Sequence, residues 1–197
     1  MNTDPRTAPE ALAEFNRFYS TTHVAEVIAA HQGFVSANRF ELIDTGTAEA
    51  RLRAPQWLAV YGMADEAAVL QYLEDNERPW LHRRKYSPWP PARRRAKTVW
   101  RMIWRRSATT GSLSESGDAL LMLGMNVAPK LTVLPGYARA TCLELHRAFE
   151  PAESSLPRFC VIHETDRDLA QADSLGRASD EADALWRLLY RRIQPPE

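Results

Sequence analysis

Three side chains spaced along one stretch of this sequence could move a proton: Asn16, Tyr19 and His23. At positions i, i+3 and i+7 they would share one face of a helix, with Leu12 and Val27 continuing the line. An imidazole with an ordinary pKa near ~6.5 takes or gives a proton at neutral pH, and a phenol and an amide beside it could orient a substrate carbonyl. These three are the expected catalytic residues, and burial would favour the neutral imidazole that a general base requires. The competing reading is a core or surface histidine that makes one backbone hydrogen bond.

A second set, Trp57, Tyr61, His82, Tyr86 and His163, is expected to bind substrate; it comes from two apolar segments and the start of a basic stretch. Against it stands the frequency of Tyr and His where a sheet meets solvent. No P-loop, dinucleotide glycine fingerprint, HExxH or GxSxG pattern occurs, so any catalysis is expected to be cofactor-free. No metal site is expected either. Cys142 and Cys160 lack CxxC spacing, and they read as small apolar side chains in a core.

A long helix must carry the first set. Pro9 suits a helix start, the pattern Leu12, Phe15, Tyr19, Val27 runs to residue 31, and Gly33 ends it. A second helix is predicted over 65–75 (DEAAVLQYLED), with Asp65 as its cap. The remaining elements emerge when the chain is aligned with itself. QGFVSANRFELI (32–43) matches PGYARATCLELH (135–146), PQWLAVY (55–61) matches PRFCVIH (157–163), and VWRMIWRR (99–106) matches LWRLLYRR (185–192). Three collinear matches point to an internal duplication. Each matched segment is short, rich in aromatic or branched residues and punctuated by Gly or Pro, so all six are predicted strands. DALLMLGMNVA (118–128) is a further strand and DLAQADSL a short helix. The first copy thus has its first helix without a first strand, and the second copy has the strand without the helix.

The segment EFNRFYSTTHVAEVIAAHQGFVSANRFEL (14–42) is an aromatic-rich helix with a histidine near its middle, followed by a Gly-Phe turn and a strand. With the doubled order strand, helix, strand, strand, helix, strand, it resembles the dimeric α+β barrel superfamily, which includes EthD-like proteins, antibiotic-biosynthesis monooxygenases and stress-responsive barrel proteins. The resemblance implies an α+β fold of two ferredoxin-like halves, residues 1–110 with a basic insertion at 77–97 and residues 117–197, giving seven or eight strands. Gly33 and Gly136 should then occupy equivalent turns. It further implies a homodimer and a cofactor-free isomerase, cyclase or lyase acting on a hydrophobic aromatic or polyketide-like small molecule. A cofactor-independent oxygenase is the nearest enzymatic alternative, and a ligand-binding or assembly module the non-catalytic one. Haem-degrading members use Asn, Trp and His, but with the Asn on the first strand; here Asn16 falls on a helix, and only Asn126 meets that condition, in the second copy.

Composition sets the outer bounds. Hydrophobic residues make up 45% and charged residues 25%, the balance of a globular protein. No apolar run reaches the ~20 residues that span a bilayer, and the polar start MNTDPRTAPE is no signal segment, so a cytoplasmic protein without a membrane partner is expected. The net charge of zero hides an asymmetry: residues 78–106 hold eleven Lys or Arg, no acid and four of the six Trp. Such interleaving can bind nucleic acid. With no nucleic-acid motif, and with prolines at 79, 88, 90 and 91, a lid or a subunit contact is the expected role instead.

Overall fold

The computed structural model describes residues 1–4, 6–45, 54–77, 86–113, 117–151, 156–166 and 184–194. The fold is α+β. The first helix forms where expected: α1 is Pro9–Phe18, with Pro9 at a position that needs no N–H donor. It passes into a π-helical turn, Tyr19–His23, and continues as α2, Val24–Ala30. That turn corrects the expectation of one unbroken α-helical face. The Val24 N–H donates to the Tyr19 carbonyl five residues back, a step that marks the wider ladder. Two carbonyls of the preceding turn have outside donors. The Thr21 hydroxyl donates to the Arg17 carbonyl at 2.9 Å, and the Arg39 guanidinium donates to the Asn16 carbonyl at 2.9 Å. Side-chain donors of this kind loosen the α ladder and bend helices.

The strands follow the repeat. β1 is Asn2–Thr3, β2 Phe34–Thr45 and β3 Trp57–Met63; α3, Glu66–Glu77, leads towards a 3-10 turn at Pro91–Arg95 and β4, Ala96–Lys97. Then come β5 (Arg101–Gly111), β6 (Ala119–Met125), β7 (Arg139–Glu150), β8 (Phe159–Thr165) and β9 (Trp186–Arg192). All six matched segments are strands, and the WRMIWRR and WRLLYRR stretches are both extended despite the helix-like acids before the second. The sequence DLAQADSL lies outside the described residues. The expectation of no strand ahead of the first helix is corrected by β1, which pairs with β4 in a two-stranded sheet. Around it, the Met1 carbonyl accepts from the Trp57 N–H and the Asp4 N–H donates to the Arg95 carbonyl. The other seven strands form one sheet in the order β3-β2-β9-β6-β8-β7-β5, with antiparallel pairing from β2 through to β5.

Two compact units divide the chain. One comprises Met1–Asn2, Phe40–Leu58 and Lys97–Arg192. Its central strand β6 is buried at every residue, as a strand reading ALLMLGM between two neighbours must be. One side of its core gathers Phe40, Leu120, Met122, Cys160, Leu188 and Tyr190, and the Tyr190 hydroxyl donates to the Pro55 carbonyl at 3.0 Å. Both cysteines are buried and free, as expected. The other unit comprises Thr3–Arg39, Ala59–Ala96 and the residues from Ile193, and it holds α1, α2 and α3. Among the described residues no helix is long and apolar enough to cross a membrane.

The two glycines of the first sequence match have the same backbone. Gly33 and Gly136 both have φ +83°, and each is followed by a buried aromatic, Phe34 or Tyr137, whose N–H donates three residues back, to the His31 or the Leu134 carbonyl. A side chain at Gly33 meets two obstacles. Left-handed backbone costs an L-residue about 1–2 kcal/mol, and a Cβ there would lie 2.4 Å from the buried Ala68 Cβ, which no rotamer change can move. Gly33→Ala is therefore expected to lose about 2–3 kcal/mol and ~5–10 °C of melting temperature by circular dichroism. An unchanged melting curve would mean that the turn is not tied to the packing of α3.

Candidate functional site

The helical unit gathers five of the sequence-predicted residues, Asn16, Tyr19, His23, Tyr61 and Tyr86. Trp57 and His163 belong to the other unit, and His82 lies outside the described residues.

Trp89 organises the cluster. The Pro-rich segment after Tyr86 lies along the first helix and packs the Trp89 ring against Phe15 (5.8 Å, stacked), Phe18 (5.2 Å), Tyr19 (5.4 Å, edge-on) and His23 (4.3 Å between centroids). Arg93 sits over the indole, 5.4 Å from its centroid. Part of the basic strip is thus a strap over the helix, and Trp89 finds its burial there. Ser87 fastens the strap: its N–H and its hydroxyl both donate to Glu26 Oε1, which holds that carboxyl below the usual range.

His23 lies between Tyr19 (5.1 Å) and Tyr86 (5.5 Å), facing Trp89. Its Nδ1 is buried and has no hydrogen-bond partner among the described residues. Desolvation lowers its pKa to about 4, so the ring is neutral at pH 7.

Asn16 and Tyr19 have their own tasks. Asn16 Oδ1 accepts from Arg39 at 2.9 Å, the same guanidinium donates to Ser20 Oγ at 2.9 Å, and it lies 4.2 Å from the Tyr19 ring centroid. The Tyr19 oxygen accepts a hydrogen bond from Tyr61, and burial raises the pKa of both phenols. Arg39 is itself buried, and desolvation lowers its pKa to about 10.

On the other side of Tyr86 stands a histidine that sequence reasoning missed. The Tyr86 hydroxyl lies 3.3 Å from His31 Nε2, and His31 Nδ1 lies 3.7 Å from Asp75 Oδ2, a carboxylate on α3 that is buried and accepts from Gln71 Nε2 at 3.1 Å. Phe34 and Tyr72 flank the imidazole at 4.9 and 5.2 Å. His31 and Asp75 are 44 positions apart, too far for any spacing motif to link them. Asp75 gave no hint either, since it stands in the polar run Glu74, Asp75, Asn76, Glu77 that closes α3.

Of the remaining residues, Trp57 opens β3 and is buried. His163 is the fifth residue of β8, as Tyr61 is of β3, and lies 5.7 Å from Tyr137. It is 1% exposed, its pKa is lowered to about 4 by burial, and neither ring nitrogen has a hydrogen-bond partner among the described residues. Asn126 falls one residue past the end of β6, where its Oδ1 accepts from the Arg158 N–H. No group of His, Cys, Asp and Glu among the described residues is arranged to hold a metal ion.

Comparison with protein-family models, with curated proteins and with solved structures finds no match to this chain. Fold and site together define an α+β protein with a neutral histidine set among aromatic rings.

Proposed function

We propose that the helical unit is a cofactor-free acid–base site for a hydrophobic aromatic or polyketide-like small molecule, of isomerase, cyclase or lyase type, with His23 as a proton acceptor. The observation that carries this reading is the state of His23: neutral, half-buried, and set among Tyr19, Tyr86 and Trp89 with Nδ1 unpaired among the described residues. Such a ring is present wholly as the acceptor at pH 7, and its basicity rises when the developing negative charge of a substrate lies beside it. Asn16 and Tyr19 serve as positioning residues, because Arg39 and Tyr61 occupy their polar atoms.

The same reading takes the chain as a tandem duplication of a ferredoxin-like unit. It is supported by the twin turns at Gly33 and Gly136, by the segment β9-β6-β8-β7, which has the 4-1-3-2 order of such a unit, and by the pairing of each copy's last strand with the other's second, β5 with β7 and β9 with β2.

Hydrogen–deuterium exchange of 2-tetralone, an aromatic ketone with acidic α-protons, tests the activity in D₂O by proton NMR. Exchange faster than buffer is expected, with His23→Gln lowering the rate about 10²-fold at an unchanged circular dichroism spectrum. Equal rates for the variant and the wild type, or no acceleration of 2-tetralone or any ketone in a wider aromatic panel, would remove the reading and leave a binding module.

A further inference from the structure

We propose that Tyr86, His31 and Asp75 form a phenol–imidazole–carboxylate relay that gives the site a second base, on the side of Tyr86 away from His23. The proposal rests on the acid–base reading above.

The geometry has the order such a relay needs. Tyr86 is half-buried, and the groups behind it are progressively withdrawn: the His31 side chain is 10% exposed and that of Asp75 is 2% exposed. Each member comes from a different element, His31 from the residue after α2, Asp75 from α3 and Tyr86 from the strap. Gln71, one helical turn before Asp75, binds the other carboxylate oxygen and so fixes which one faces the imidazole. The Asp75 carboxylate lies 3.7 Å from Nδ1, an ion-pair contact longer than a hydrogen bond, and its charge favours the proton on that nitrogen, leaving Nε2 as the acceptor for the Tyr86 hydroxyl.

The step balances. A substrate C–H bond beside a carbonyl breaks and a Tyr86 O–H bond forms, while the original Tyr86 O–H breaks and a His31 Nε2–H forms. The electron pair left on the substrate as an enolate is matched by the imidazolium, which faces the Asp75 carboxylate. The reverse step delivers the proton to a second carbon, which completes an isomerisation without any other reagent. In water a phenol and an imidazolium differ by about 3.5 pKa units, which disfavours this transfer. A buried carboxylate behind the imidazole narrows that gap, as the carboxylate does in a serine–histidine–aspartate triad. Among the described residues near the relay, Glu26 is held by Ser87 and Arg93 over Trp89. His23 faces the Tyr86 ring from α1's continuation and is neutral at pH 7.

Two readouts test the relay, one of which needs no substrate. In protein labelled with ¹⁵N-histidine, long-range ¹⁵N–¹H spectra at pH 7 are expected to show His31 protonated on Nδ1, with a shift towards the other tautomer in Asp75→Asn. His31 protonated on Nε2 in the wild type would overturn the proposal. In the 2-tetralone assay, Tyr86→Phe is expected to lower exchange about 10²-fold and Asp75→Asn about 10-fold. Gln71→Leu, which touches only the outer carboxylate oxygen, is expected to lower it less than Asp75→Asn and guards against loss of fold in the latter. If the wild type exchanges 2-tetralone and Tyr86→Phe does so equally fast, the relay falls while the His23 reading stands. If the wild type exchanges nothing, the His23 reading falls, and the tautomer of His31 alone decides whether the relay is built.

Discussion

Replacing Arg39 with alanine is expected to lower the unfolding free energy by about 4 kcal/mol, as measured by urea titration at pH 7. Arg39 is 3% exposed, and no carboxylate pairs with it among the described residues. Its charge is held instead by the Tyr19 ring and by three neutral acceptors, the Asn16 carbonyl, Asn16 Oδ1 and Ser20 Oγ. Alanine leaves those acceptors without their donor and opens a void the length of the arginine stem, and each of these costs about 1–3 kcal/mol. Methionine fills much of the void, so Arg39→Met is expected to lose about half as much. The π-helical turn supplies a second readout. Without an outside donor for the Asn16 carbonyl the ladder should return towards α-helical spacing, and His23 should turn from Trp89, visible as a change in indole fluorescence. A variant as stable as the wild type, with unaltered fluorescence, would show that the guanidinium holds neither the turn nor the strand beneath it.

The split between what the sequence disclosed and what it concealed follows from the range of the interactions involved. Strands were legible because their signals are local: β3 and β8 both begin two residues after a proline, at Trp57 and Phe159, and both run for seven residues. The first helix was legible from its period, and Tyr19 with His23 did end on one flank. The π-helical turn was not, because the guanidinium that meets the Asn16 carbonyl just before it comes from Arg39, on a strand 23 positions away, and leaves no mark in the helix itself. For the same reason the site was only half visible. Tyr86 and His23 could be nominated as residue types that do chemistry, but the partners that give them a role, His31, Asp75 and Trp89, become neighbours only through packing. Asn16 shows the converse. Its spacing placed it beside Tyr19 and His23, yet its amide is spent on Arg39.

Acidification is expected to destabilise this protein above the pH at which carboxylates titrate, with about 3 kcal/mol lost between pH 7 and pH 5. Burial holds the pKa of both His23 and His163 at about 4 in the folded chain, against about 6.5 for a histidine in the unfolded one. The unfolded state therefore binds protons first as the pH falls. Stability is intact above about pH 6.5 and is lost progressively towards pH 4, where the folded state begins to accept the same protons. At pH 5 the fully buried His163 imidazole accounts for about 2 kcal/mol of that loss, and the half-buried His23, screened in part by solvent, for about half as much. The two contributions separate by mutation. His163 is fully buried, and neither ring nitrogen finds a donor or acceptor among the described residues, so a leucine of similar volume removes a polar group that gains nothing from its surroundings. His163→Leu is expected to leave stability at pH 7 nearly unchanged or slightly raised and to recover about 2 kcal/mol at pH 5. Urea titrations of the wild type and this variant at both pH values measure the difference. Parallel pH profiles would mean that His163 is protonated in the folded chain with little penalty, and the buried setting assigned to it on β8 would then be wrong.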